Sequence, residues 1–196
     1  MSLRDLPAFI RNNYAVHEWR HASAVLRTDF RSEWDDIVAV LTEFRLLKSH
    51  ISVGGGGKSN VSGCLDRAFT KRGWAERKFE TQIRVDQSVI DSPTHKVDCF
   101  KNGVGVEIEW NNKTEFYDRD LNNFRLLFEL RALNVGVIVT RCDELQQIFD
   151  TLGRGDSFGP TTTILSKLLR KMEGGSGGGC PVLVFGIKTS LYDESR

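Results

Sequence analysis

Between residues 32 and 47 the apolar side chains Ile37, Val40, Leu41, Phe44 and Leu47 recur on one helical face. Ser32 stands at the head of this run with Asp35 three residues on, which predicts a capped scaffold helix. The N-terminal third as a whole reads as helical. Gly54 to Gly57 interrupts the pattern, and Val61, Cys64, Leu65, Ala68 and Phe69 then predict a second amphipathic helix over about 60–71. From Trp74 the period shortens to two. Gln82 to Val85, His95 to Lys101 and Val104 to Trp110 alternate as half-buried strands do. A helix over 114–132 follows, with Phe116, Leu121, Phe124 and Phe128 expected inward, and then Val135 to Val139, an apolar run of the kind a strand covered on both faces requires. Helices over 143–152 and 161–172, a floppy Gly174 to Gly179 connector and a strand Val182 to Ile187 complete the chain. The succession predicts an α/β fold, a central mixed sheet flanked by helices. It fits one domain over 1–196, with a helical region over 1–72 and a sheet-bearing region over 73–196.

Composition narrows the function classes. A chain of 196 residues, 40% hydrophobic and 27% charged, can bury a sizeable core. No apolar run reaches the roughly 20 residues of a membrane span, and the N-terminus lacks the apolar stretch of a signal peptide, so a cytoplasmic protein with no membrane partner is expected. Lys plus Arg is 27 against 26 for Asp plus Glu, which offers no global attraction to phosphate. Any nucleic-acid site must therefore be a local patch. Residues 58–84 are such a patch, carrying Lys58, Arg67, Lys71, Arg72, Arg77, Lys78 and Arg84 against Asp66, Glu76 and Glu80. Cys64, Cys99, Cys142 and Cys180 stand singly, without zinc spacing, and read as reduced thiols.

Two motifs fail on inspection. Gly57-Lys58-Ser59 would need glycine at position 52 to complete a phosphate-binding loop, and Ser52 stands there. The G-x-S-x-G spelling occurs at Gly174 to Gly178, but inside a glycine run that reads as a connector by composition and not as a strand-to-helix nucleophile turn.

The segment from His95 to Trp110 holds the chemistry. Asn102-Gly103 between two alternating runs predicts a two-residue hairpin, because both central residues of that turn need positive φ. The register that follows opposes Lys101 to Val104, Cys99 to Val106, Asp98 to Glu107, Val97 to Ile108 and Lys96 to Glu109. Val97, Cys99, Val106 and Ile108 then face a core. Lys96, Asp98, Glu107 and Glu109 share the other face, with Gly105 leaving backbone room. Opposed carboxylates repel, so a hairpin selected for stability alone would avoid Asp98 against Glu107. Two readings stand at this point: a solvated polar face offset by Lys96, or a pair of hard oxygen ligands suited to Mg²⁺. Asn111-Asn112-Lys113-Thr114 comes next and opens a helix, where polar side chains and amides can meet phosphate or base edges.

At these residues the chain resembles the PD-(D/E)XK nucleases, and within them the type II restriction endonucleases of the BglII, BstYI and BamHI group. The resemblance rests on Asp98, Glu107 nine residues later, and Glu109 at the position where most of the superfamily has lysine. It extends through Tyr14, His21-Ala22, Leu65 to Phe69, Gly73-Trp74, Val135-Gly136-Val137, Pro181 to Val184 and Gly186-Ile187.

The resemblance implies a restriction-endonuclease-like core and a homodimeric, Mg²⁺-dependent enzyme, with Mn²⁺ able to substitute, that cuts double-stranded DNA at a short palindrome. Asp98 and Glu107 would hold the metal, and Glu109 would orient or deprotonate the attacking water. Glu76 resembles an additional upstream acid. Apart from the resemblance, the predicted register sets Lys96 beside Glu109, where it would replace some of the missing positive charge, and Lys58 of the basic patch is expected to bind DNA. Asn111, Asn112 and Lys113 would enter the major groove, where asparagine pairs with adenine and lysine with guanine, so a GATC core is a reasonable site. The helices near 114–132 and 161–172 are dimer-interface candidates, and a cognate DNA methyltransferase is the expected partner. A repair or structure-specific nuclease and a non-catalytic DNA-binding protein are the competing readings.

Overall fold

The structure is a computed structural model that describes residues 6–52, 59–91 and 94–195. Gly54 to Gly57 and Lys58 lie outside the described residues. In chain order the first elements are α1 Ala8–Asn13, β1 Tyr14–Trp19, α2 Ala22–Asp29, α3 Arg31–Glu43, β2 Leu46–Leu47, α4 Lys48–Ser52, α5 Asn60–Thr70 and β3 Ala75–Arg77. There follow β4 Gln82–Val85, β5 Ser88–Asp91, β6 Val97–Lys101, β7 Val104–Ile108, α6 Phe116–Glu129, β8 Val135–Arg141, α7 Gln146–Thr151, α8 Leu165–Glu173, β9 Val182–Ile187 and β10 Tyr192–Asp193.

Six strands form the central sheet in the order β1-β9-β8-β7-β6-β3. β7, β8 and β9 run parallel, and β1, β6 and β3 join antiparallel, so the sheet is mixed as expected. Every residue of β7, β8 and β9 is buried, which is why these strands read as near-continuous apolar runs. One face packs Cys99, Val106, Ile108, Val137, Val139 and Phe185 against α2, α3 and α5. The other packs Val97, Ile138 and Val184 against α6 and α8, through Leu121, Phe124, Leu127 and Leu168.

Several elements differ from the sequence expectation. Strand β1 falls inside the stretch read as helical; it pairs along β9 from Tyr14↔Ile187 to Trp19↔Val182 and closes one edge of the sheet. The first long helix starts at Arg31 without a Ser32 cap and ends at Glu43, where the backbone of Phe44 turns extended and Arg45 donates to the carbonyls of Thr42 and Phe44. Leu47 therefore leaves the helix for β2. Ser59 caps α5, accepting from the Ser62 amide at 3.0 Å.

The 82–85 strand exists but is not half-buried. It pairs with β5 as a separate hairpin in which every residue is exposed. Helix α6 turns Tyr117 inward where Phe116 was expected, and Tyr117 shares a 2.6 Å hydrogen bond with Thr140. The 143–152 helix begins as a 3₁₀ turn, and α8 begins only at Leu165 because 161–163 instead bond to the 112–114 segment. The Gly174 to Gly179 connector is built into the fold rather than floppy: Trp19 Nε1 donates to the Gly178 carbonyl, and Gly177 is buried.

Candidate active site

The turn that positions the site is the expected one. Asn102 and Gly103 have φ of 47° and 87°, and the ladder runs Lys101↔Val104, Phe100↔Gly105, Cys99↔Val106. Lys101 anchors the hairpin tip by an ion pair to Asp36 at 2.7 Å. Beyond Cys99 the strands separate, and carboxylates take over the hydrogen bonding. The Asp98 amide donates to Glu107 Oε2 at 3.4 Å, and the Ile108 amide donates to Asp98 Oδ2 at 3.1 Å.

The cause is a bulge. β3 pairs with β6 at Ala75↔Phe100 and Arg77↔Val97, so the register shifts between the two pairs. The shift corrects one expectation: Val97 joins the α6 side, where its Cγ1 approaches Gly105, and no longer shares a face with Cys99. It also places the carboxylate of Asp98 on the Glu107 side.

The two glutamates of the acidic face are not solvated, while Asp98 is half-buried and Lys96 exposed. Glu107 is 0% exposed and Glu109 1%, under the first turns of α6. The backbone room expected at Gly105 is occupied: the ring of Phe124 packs on Gly105 and on its β8 partner Gly136, and this lets α6 lie close to the sheet. α6 then delivers two residues that the sequence reading missed, Arg119 and Asp120.

Asp120 is 0% exposed and lies within hydrogen-bond reach of the Glu109 carboxylate. Asp120 Oδ2 is buried without a partner among the described residues. Arg119 bridges them, with Nη2 3.3 Å from Glu109 Oε1 and 2.7 Å from Asp120 Oδ1. The side-chain amide of Asn112 donates to Glu109 Oε2 at 2.8 Å. Nothing in the local sequence marks Arg119 or Asp120, since helical periodicity does not say which turn covers which strand.

Burial pushes Glu107 well above the usual carboxylate range, and the charges of Asp120 and Asp98 push it further. Burial also raises Glu109, while Asp120, Asn112 and Arg119 pull it back. Asp120 is raised by burial and by Glu109. Glu107 Oε1 is buried without a partner among the described residues. A hard oxygen pair with one uncompensated buried atom fits a divalent cation held through two carboxylates, with water completing its shell. A cage of three or more acid, histidine or cysteine ligands is not found among the described residues.

The other expected residues are placed differently. Lys96 does not stand beside Glu109; it pairs with Glu76 at 2.7 Å, and both side chains are more than half exposed. The cause is the separation of the strands, which ends the ladder before residue 96. Glu76 is thus an exposed residue of β3. Asn111 adopts a left-handed φ of 61°, turning the chain out of the sheet, and its Oδ1 is buried without a partner among the described residues. Asn112 and Lys113 cross the 159–164 loop: Thr163 donates its amide to the Asn112 carbonyl at 2.8 Å, and Lys113 bridges to Thr162. Lys113 is exposed. No helix among the described residues is long and apolar enough to cross a membrane.

A family model described as restriction endonuclease BglII/BglIII matches residues 14–187. The match begins at β1 and ends with β9, so it spans the central sheet and the buried acids. Among curated proteins none matches the chain.

Proposed function

The chain belongs to the BglII/BglIII restriction endonuclease family and is thus a type II restriction endodeoxyribonuclease, a hydrolase of double-stranded DNA; from that premise we propose that Asp98, Glu107 and Glu109 form its active site. The observation that carries the assignment is Glu107 Oε1, buried and unpartnered beside Asp98 where the hairpin opens.

Members of such families generally use divalent metal ions, and here the ion is Mg²⁺, with Mn²⁺ able to substitute. Asp98 and Glu107 hold it, and when bound it supplies positive charge to the scissile phosphate and to the attacking water. Glu109 cannot offer the positive charge of a lysine. With both carboxylate oxygens engaged by Arg119 and Asn112, it is held in one orientation, as a group that positions a water and accepts its proton must be. The segment of Asn111, Asn112 and Lys113 meets base edges, led by the exposed Lys113, an adenine- and guanine-containing site such as a GATC core being the chemically matched target. A two-fold homodimer places one such site on each strand of a palindrome. Protection of the host's own sites is then the task of a cognate methyltransferase.

The test is to incubate the purified protein with plasmids of varied sequence and Mg²⁺. Discrete fragments are expected, and Asp98→Asn should stop cutting while DNA binding persists. Neither fragments nor nicks on any sequence overturns the assignment; a smear or a preference for branched DNA replaces the site-specific reading with a structure-specific one.

A further inference from the structure

Glu109 stands where a lysine would carry the site's cation, and Lys96, the expected substitute, is engaged elsewhere by Glu76. The structure brings a different cation to that place. Arg119 Nε donates to Asp120 Oδ1 at 2.8 Å while Nη2 reaches Glu109 Oε1 at 3.3 Å. The planar guanidinium therefore spans two carboxyl groups, which the single ammonium of a lysine does less well. Its carbon lies 4.1 Å from the centre of the Phe116 ring, and the side chain keeps 30% exposure, so it is held at the boundary between the buried acids and solvent.

The helix that carries it is fixed. Tyr117 bonds to Thr140, Leu121 and Phe124 are fully buried, and Phe124 rests on Gly105 and Gly136. Arg119 thus meets Glu109 through a rigid docking of α6 on β7 and β8, not through a mobile surface pair.

We propose that Arg119 is a positioning residue for DNA cleavage: it fixes the Glu109 carboxylate from one side while Asn112 fixes it from the other, and it lends the site the positive charge that position 109 lacks. The inference rests on the nuclease reading above. A solely structural role, neutralising buried acids, would make Arg119 matter for stability and not for the rate of cutting by folded protein.

The experiment compares Arg119→Met, Arg119→Gln and Arg119→Lys with the parent. Cleavage of saturating DNA, KM, DNA binding with metal withheld, and melting temperature are measured on each. Removing one electrostatic partner of a reacting group typically slows catalysis by about a hundredfold. Arg119→Met and Arg119→Gln should therefore lose about two orders of magnitude in kcat, with KM and DNA affinity within about threefold. Arg119→Lys keeps the charge and should recover to within about tenfold of the parent. Cutting by folded Arg119→Met at the parent's rate overturns the inference, and so does a loss confined to KM or to DNA binding, or a lysine variant no better than methionine. If Arg119→Met does not fold, Arg119→Gln retains donors for Asp120 and answers the same question: the parent's rate in that variant overturns the inference. A parent that cuts no DNA overturns the nuclease reading and the inference with it, whereas a cutting parent with unaffected variants overturns the inference alone.

Discussion

Asp98 and Glu107 are joined across the opening hairpin by side-chain-to-backbone bonds, the Asp98 amide to Glu107 Oε2 and the Ile108 amide to Asp98 Oδ2. Each carboxylate thus replaces a piece of the strand ladder. One oxygen of Glu107 is left buried and uncompensated. That atom makes the pair a liability for folding and an asset for cation binding.

Glu107→Gln removes the buried acid without changing its shape. In the absence of metal the variant is expected to melt at a higher temperature than the parent at about pH 8, because an uncharged amide costs less to bury than a carboxylate. It should also lose the rise in melting temperature that Mg²⁺ gives the parent, and cleave at least about a hundredfold more slowly. Thermal melts with and without Mg²⁺, alongside a cleavage assay, check all three.

The same burial gives the metal-free protein a pH dependence of definite sign. Glu107, Glu109 and Asp120 all hold their protons above the usual carboxylate range. Between that range and the raised values the folded chain binds more protons than the unfolded one, so its stability is fullest at the acid end and falls as pH rises. The slope is about 1.4 kcal/mol per pH unit for each proton retained. Melting temperature followed from about pH 5 to pH 8 should show this fall. The slope should be shallower in Glu107→Gln, and Mg²⁺ should stabilise the parent more at about pH 8 than at about pH 6.

Asn112 donates to the Glu109 carboxylate as well as lying on the segment proposed to meet bases. Asn112→Ala should slow cleavage about 10- to 100-fold even at saturating DNA, the usual cost of losing a group that orients a site residue. Asn112→Asp, which sets another acid against Glu109, should be slower still. A loss of site discrimination or of KM with kcat unchanged would mean that Asn112 serves recognition alone.

A Cβ at Gly136 would run into the Phe124 ring, on the helix that carries Arg119 and Asp120. Gly136→Ala should destabilise the fold by about 1–3 kcal/mol in urea unfolding and depress cleavage in the protein that does fold. Adding Phe124→Leu makes room for the methyl group. Partial recovery of both properties in the double variant is expected, since the two residues share one packing site.

The hairpin was legible because its determinants are local. Asn102-Gly103 demands positive φ whatever surrounds it, alternation then assigns each residue a face, and the Asp98, Glu107, Glu109 spacing follows from both. The apolar runs of β8 and β9 were equally plain, since a strand covered on both faces has no polar side to show. The tertiary structure decided what depends on a neighbour distant in sequence. The bulge opposite β3 turned Val97 to the other face and separated the strands before Lys96 reached Glu109. β9 drew residues 14–19 into an edge strand within a stretch patterned like helix. The docking of α6 on Gly105 and Gly136 buried the acids and set Arg119 and Asp120 against Glu109. A chain's own pattern determines which way a side chain points from its backbone; which partner it meets there is set by packing between elements.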